Sequence, residues 1–256
     1  MKCFYSVIMT IKKSQFVLII NENKNYLVKA EGKLNCEFGS IDLDSLVGKK
    51  FGCKISSHTG KEFTVIEPNI NDFLAKKMRR LPQVITQKDF GIILAETGVK
   101  QNAKVIEAGT GSAYATIMFA NFLNKGKIYS YEKREDFHKN AKKNIEILDL
   151  KNIKLYNQDI RDGIKEKDVD MILLDMENSE DVVKEAYEKL KPGAFLVVYS
   201  PYIEQVKEVQ EKIKELPFVF VKTIENIQRE WDVRSHTLPK RQGIFHTAFI
   251  TFARKI

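Results

Sequence analysis

The 256-residue sequence predicts an α/β protein, with a doubly wound, seven-stranded sheet covered by helices and a small β domain ahead of it. Three observations carry that prediction. From Lys88 onward, apolar β-rich runs alternate strictly with amphipathic helical segments. The first run, Val105-Ile106-Glu107-Ala108, passes into the turn Gly109-Thr110-Gly111-Ser112. Twenty-three residues after Gly109, the second run ends in an acid, Glu132. A strand, a glycine turn, a helix and an acid-terminated strand together make a nucleoside-binding half of an open parallel sheet. The glycines let a ligand approach the backbone, and Glu132 can accept both ribose hydroxyls.

Residues 1–70 read as the small β domain. Short β-rich runs at Gln15–Ile20, Tyr26–Lys29, Lys50–Ile55 and Glu62–Ile66 are separated by turn signals at Gly32, Gly48 and Gly60. Pro68-Asn69 closes this part. Residues 71–87 read as a basic linker in which Asp72–Arg80 is expected to form a short helix. Residues 88–256 are the larger domain, opening with a helix over Asp89–Glu96. Strands follow at Lys104–Glu107, Lys127–Glu132, Ile153–Gln158, Val169–Leu174 and Ala194–Tyr199. The Val169–Leu174 run is apolar apart from Asp170, as in a strand buried on both faces. Helices are expected over Ala113–Leu123, Glu135–Leu148, Asp181–Leu190 and Ile203–Leu216. The second of these carries Phe137, Ala141, Ile145 and Leu148 on one face, and Lys191-Pro192-Gly193 stops the third. Phe218–Ile227 and Thr247–Ala253 then form two long strands joined by a polar loop. Five βα units closed by a hairpin are the layout of the class I, Rossmann-like S-adenosylmethionine (SAM)-dependent methyltransferases.

The turn itself discriminates among nucleosides. A dinucleotide fold needs a third small residue five positions after the first glycine, so that the helix start can receive a pyrophosphate. Here that position is Tyr114, and an acid, Glu107, precedes the turn. Both suit SAM, which carries no phosphate. Ligands of open sheets lie beyond the carboxyl ends of the strands, and four strands end in acids: Glu107, Glu132, Asp159 and Asp175. Glu132 is expected at the ribose and Asp159 at the adenine amino group. Glu107 should lie near the methionine end, and Asp175 where the methyl acceptor enters.

Composition bounds the partners. The net charge is +8, and residues 1–80 hold 14 Lys and Arg against 8 Asp and Glu, ending in Lys76-Lys77-Met78-Arg79-Arg80. That placement suits a polyanion held by the N-terminal part, although lysine-rich solvated surfaces would look the same. Arg234, Lys240 and Arg241 lie in the loop between the last two strands, equally suited to phosphate or solvent. Cys3, Cys36 and Cys53 lack metal-site spacing and read as reduced thiols. His58, His138 and His236 form no ligand spacing, and no metal is expected. His246 reads as a hydrogen-bonded structural histidine and Trp231, the single tryptophan, as a packing or interface anchor. No segment has a signal-peptide core or membrane-spanning length, so a soluble, cytoplasmic protein with no membrane contact is expected.

At these residues the chain resembles the tRNA adenine-N1 methyltransferases of the TrmI type, of archaeal kind, over nearly its whole length. The resemblance includes Ser40–Lys49, Gly60–Pro68, Lys88-Asp89, Glu107–Ser112, Tyr131-Glu132, Leu174-Asp175, Arg229–Arg234 and His246–Phe249. It implies a homotetramer that methylates N1 of a T-loop adenosine, position 58 and for archaeal members also 57. It also implies that SAM is held by Glu107, Gly109, Gly111, Ser112, Ala113, Glu132, Phe137, Asp159 and Asp175, with Asp175 the catalytic acid that holds the acceptor adenine. tRNA would be met by Lys76, Lys77, Arg79, Arg80, Arg234, Lys240 and Arg241. The chain departs from the family's pattern at three places. Ala113 stands for a glycine, Thr86-Gln87 for Tyr-Pro, and Met176-Glu177 for Pro-Trp after the acid. Two other readings share the fold: a methyltransferase for a small molecule or protein, and a non-catalytic tRNA-binding subunit.

Overall fold

The computed structural model describes residues 10–22, 24–81, 83–233, 237–240 and 246–256. Contacts divide the chain into two units, residues 1–78 and 79–256.

The first unit is built on an antiparallel sheet. β1 (Phe16–Ile20) lies between β2 (Asn25–Lys29) and the later strand β6 (Glu62–Ile66), with β5 (Lys54–Ser56) on the far side of β6. A separate hairpin, β3 (Lys33–Cys36) and β4 (Gly39–Asp42), was not foreseen, because its sequence alternates weakly. Val17, Ile19, Ile41, Leu46, Phe63 and Val65 are buried together as its core. The expected strand at Lys50–Ile55 is mostly a turn. Gly52 sits at φ +87°, its N–H donates to the Val65 carbonyl, and the ladder with β6 begins only at Lys54. Cys36 and Cys53 are free thiols; Cys3 lies outside the described residues.

Residues expected to link two domains fall on both sides of the division. α1 runs from Ile70 to Lys76, starting earlier and stopping sooner than its composition suggested. Asn69 sets the start: its side chain accepts from the Asn71 and Asp72 N–H groups, while the Asp72 carboxylate accepts from the Asn69 N–H at 2.8 Å. Phe73 packs edge-on against Phe16, 5.1 Å between ring centres, which ties α1 to β1.

The second unit opens with α2 (Gln87–Thr97), then β7 (Lys104–Ala108), α3 (Tyr114–Phe122), β8 (Lys127–Glu132), α4 (Glu135–Glu146) and β9 (Ile153–Asn157). β10 (Val169–Leu174), α5 (Val183–Lys189), β11 (Leu190–Ser200), α6 (Ile203–Lys214) and β12 (Phe218–Glu225) follow. A two-residue ladder, β13 (Trp231–Asp232) and β14 (Leu238–Pro239), interrupts the loop before β15 (Phe249–Lys255). The seven strands lie in the order β12-β15-β11-β10-β7-β8-β9. All neighbours pair in parallel except β15, which is antiparallel to both β11 and β12. Period-two alternation puts Ile106, Ile172, Leu174, Leu196 and Val198 on the face covered by α5 and α6. Val105, Met171, Leu173 and Val197 face α2 and α3 on the other side. From β7 the chain winds outward through β8 and β9, then returns to lay β10 on the opposite side of β7. The strand order therefore reverses between β7 and β10, where open sheets form their ligand crevice. Among the described residues, no helix is long and apolar enough to cross a membrane.

Candidate functional site

At that crevice lies a cavity of about 540 Å³, a size suited to a small-molecule or cofactor ligand. Its wall includes Glu107, Gly109, Gly111, Ser112, Glu132, Phe137, Asp159 and Asp175, so the acids ending four strands meet in one place. Each arrives there for a local reason.

Gly109, directly after β7, holds φ +93°, and a Cβ built on it would lie 1.8 Å from the Asp175 carbonyl oxygen. The ends of β7 and β10 can approach this closely only if that residue has no side chain. The approach is fixed by the Asp175 N–H, which donates to the Ala108 carbonyl at 2.8 Å. The N–H groups of Gly111 and Arg134 both donate to the Glu132 carboxylate, at 2.8 and 2.9 Å. Two carboxylate lone-pair sites remain for hydroxyl donors. Ala113 does not line the cavity; it opens α3 at φ +64°, fully buried. That left-handed conformation costs an alanine roughly 1–2 kcal/mol. Ala113→Gly is expected to stabilise the protein by about 0.5–1 kcal/mol, because the relieved strain exceeds glycine's greater freedom in the unfolded chain. A rise of a few degrees in the thermal midpoint would show it; a fall would mean that the methyl group's packing outweighs the strain.

Glu107 is buried, and its carboxylate accepts from the hydroxyls of Thr116 at 2.5 Å and Ser130 at 2.9 Å. Burial pushes its pKa up to about 7, against the opposing pull of those hydroxyls. Asp175 is half-buried, and among the described residues no hydrogen bond reaches its carboxylate. Burial, with the Glu107 charge adding to it, raises Asp175 to about 8. Asp159 is the opposite case. Arg161 grips it in a fork, with Nη2 donating at 2.7 Å and Nε at 3.1 Å, and holds its pKa below the usual carboxylate range. The Phe137 ring is covered by the Arg134 guanidinium, 3.7 Å from its centre.

Several participants were not visible in the sequence. Asn144 on α4 donates to the carbonyls of Ser112 and Arg79 and accepts the Arg79 N–H, while Leu81 N–H donates to the Ser112 hydroxyl. The segment around Arg79–Leu81 is thereby pinned to the glycine turn. On the Asp175 side, Tyr199, Pro201, Tyr202 and Gln205 complete the wall, with Tyr202 67% exposed at the rim. Extending the strand-end rule to the fifth strand would have found Pro201. Tyr199 donates to the fully buried Asp89, which also accepts from Thr247 and pairs with Lys88 at 2.7 Å. Thr86 joins the same network at 3.3 Å, so the residue in place of the family's tyrosine serves Asp89 instead.

The basic residues make separate local contacts. Lys76 Nζ donates to the Asn25 carbonyl, Arg80 to the Gln83 side chain, and Lys240 pairs with Glu230 at 2.5 Å. Arg234 and Arg241 lie outside the described residues. His246 is hydrogen-bonded to Glu225 and the Pro201 carbonyl, which together raise its pKa. Trp231 is 54% exposed. Among the described residues, no group of His, Cys, Asp or Glu is arranged to hold a metal ion.

A crevice at the switch point, on a sheet whose next-to-edge strand alone runs backwards, defines the protein as a class I SAM-dependent methyltransferase. Residues 70–251 match the family model described as tRNA methyltransferase complex GCD14 subunit. The chain belongs to that family. A tRNA (adenine(57)-N(1)/adenine(58)-N(1))-methyltransferase, TrmI, from Methanocaldococcus jannaschii is 35% identical, over 93% of this chain and 94% of its own. Among solved structures, a SAM-dependent O-methyltransferase from Thermotoga maritima superposes with a TM-score of 0.85 at 30% identity, over 96% of this chain and 95% of its own. The tRNA (m1A58) methyltransferase TrmI of Aquifex aeolicus gives 0.80 at 26%, over 97% and 99%.

Proposed function

We propose that the protein transfers a methyl group from SAM to N1 of adenosine 58 in tRNA and, like the name of its Methanocaldococcus relative, covers position 57 as well. One observation carries the reading: Asp175, whose carboxyl has no hydrogen-bond partner among the described residues, lines the cavity together with Glu107. The cavity also fits the cofactor. Its turn lacks room for any side chain at Gly109, and Glu132 keeps lone pairs for ribose hydroxyls. SAM, when bound, supplies a methyl group made electrophilic by a sulfonium.

The residues divide the work. Glu132 would take the ribose. Asp159 would take the adenine amino group, provided that Arg161 releases part of its fork. Asp175 would face the acceptor adenine. Adenine N1 already has a lone pair, so no proton need leave before attack, but methylation makes the ring cationic. A carboxylate fixed beside the amino edge stabilises charge that develops only as the bond forms. Unstacking a tRNA base into such a depth costs roughly a few kcal/mol, which phosphate contacts elsewhere must offset. Self-association as a homotetramer is part of the reading. It is supported by the exposed apolar residues Phe220, Val221, Ile227, Trp231, Val233 and Leu238 on and after β12.

The test is methyl transfer from labelled SAM to unmodified tRNA, with mass spectrometry of the digested nucleosides. N1-methyladenosine is the expected product. A methylated oxygen, as the Thermotoga protein's description would suggest, or labelled product only without tRNA, would overturn the reading.

The two raised carboxyls also predict a pH dependence. Glu107 and Asp175 hold their protons up to about pH 7 and 8 in the ligand-free protein. Because both are raised, their contribution to stability is fully present below the ordinary carboxylate range and is lost as pH rises through those values. SAM bound with its sulfonium near these two carboxyls would favour their ionised forms. SAM affinity should therefore rise as pH increases through about 7 to 8, with proton release near neutrality. S-adenosylhomocysteine, which lacks the charge, should show much less of both. Calorimetric titration in buffers of different ionisation enthalpy measures the protons released; equal release for the two ligands would refute the coupling.

A further inference from the structure

The N-terminal unit carries a second concavity, of about 350 Å³, whose chemistry the catalytic cavity does not use. Its floor is the half-buried ring of Phe16 on β1. Lys29 stands directly opposite Phe16 in the β1/β2 register, and Lys77 arrives from the end of α1. Their ammonium groups lie 5.7 and 5.9 Å from the ring centre. Lys33, at the start of β3, is a third exposed lysine on the same wall.

Among the described residues, none of these three ammonium groups forms an ion pair, whereas Lys24 and Lys54 of the same unit are paired with Glu37 and Glu62. The one acid in the wall, Glu31, already accepts the Ser14 hydroxyl. Positive charge is therefore in excess around an aromatic face. Exposed cation–π contacts are weak, so the lysines are easily drawn off the ring. A phosphodiester offers them more, through charge neutralisation and release of its counterions. The ring they leave can meet a base or ribose, the combination by which nucleic-acid grooves hold unpaired strands.

We propose that the Phe16, Lys29, Lys33 and Lys77 groove is a docking site for tRNA backbone, supplying part of the binding that extraction of the target base requires. The site rests on the tRNA reading above. Lys77 was expected to meet RNA from its place in a basic run. Lys29 and Lys33 are joined to it only by the fold.

The experiment compares the full chain with two triple variants that lose the same charge. One is Lys29→Gln with Lys33→Gln and Lys77→Gln. The other, outside the groove, is Lys12→Gln with Lys13→Gln and Lys61→Gln. Binding of fluorescently labelled, unmodified tRNA is titrated over a range of salt concentrations, and SAM affinity is measured for each protein. The groove variant should bind tRNA at least about tenfold more weakly, with the salt slope reduced by about 2–3, roughly one per lost phosphate contact. The outside variant should lose only a few-fold, and SAM affinity should be equal in all three, which shows that the proteins are folded. Equal tRNA affinity in the two variants overturns the groove while leaving the tRNA reading intact. Absence of tRNA binding by the unaltered chain overturns both.

Discussion

Replacing Asp175 by asparagine is expected to slow methyl transfer to tRNA by about 10²–10³-fold at saturating SAM, beyond the loss of its share of the pH-dependent SAM affinity. The substitution keeps the size and shape of the side chain and removes the charge. Asp175 sits at the end of β10, held by its own N–H to the Ala108 carbonyl, and no described hydrogen bond competes for its carboxylate. A group so placed needs no reorganisation when the acceptor ring becomes cationic, and its effect on that ring falls on the transition state rather than on the bound tRNA. The loss should therefore appear in kcat, with KM for tRNA little changed. Single-turnover assays with saturating SAM separate the chemical step from product release. An asparagine variant as fast as the unaltered protein, alongside a slow alanine variant, would assign shape rather than charge to this position.

Gly109→Ala should do comparable harm by a different route. The added methyl would meet the Asp175 carbonyl oxygen at 1.8 Å and its carbon at 2.7 Å, both backbone atoms of a buried strand end. Neither can swing aside, so β7 and β10 must separate, and the left-handed backbone at Gly109 adds its own strain. Together these effects destabilise by about 2–5 kcal/mol, enough to lower the thermal midpoint of a chain of this size by roughly 5–15 °C. SAM affinity should fall by at least about tenfold, since the displaced atoms form the cavity floor. Gly98→Ala is the comparison. Gly98 caps α2 in a left-handed conformation as well, but nothing lies within 4 Å of its missing Cβ. It should cost only about 1 kcal/mol and leave the cofactor untouched. Similar losses in the two variants would show that backbone conformation, not the close approach of the strands, makes glycine necessary.

Much of the second unit was legible because most of its strands are sharply bounded, although β11 begins at Leu190 and runs through Lys191-Pro192-Gly193, ahead of the expected start at Ala194. Val169–Leu174 and Lys127–Glu132 have the same limits in sequence pattern and structure. The small β domain was harder to read. Lys50–Ile55 has β-rich composition, but Gly52 turns the chain there, and the β3/β4 hairpin lacks a clear alternation. The departure at Thr86 also looked different in isolation. In the folded chain its hydroxyl belongs to the Asp89 network, and the rim aromatic on the Asp175 side of the cavity is Tyr202.

The sequence by itself determined the strand-turn-helix around Gly109, the order of βα units, the closing hairpin and the acids at four strand ends. These are properties of neighbours along the chain, and local periodicity and steric rules reach that far. Only the tertiary structure decided what surrounds each acid. Four carboxyls look alike in one dimension, yet Glu132 receives two backbone N–H groups, Asp159 an arginine fork, Glu107 two hydroxyls, and Asp175 no described partner. Those partners come from other segments or from the turn geometry that follows each strand. They set how each carboxyl is held, while burial raises the pKa of Glu107 and Asp175.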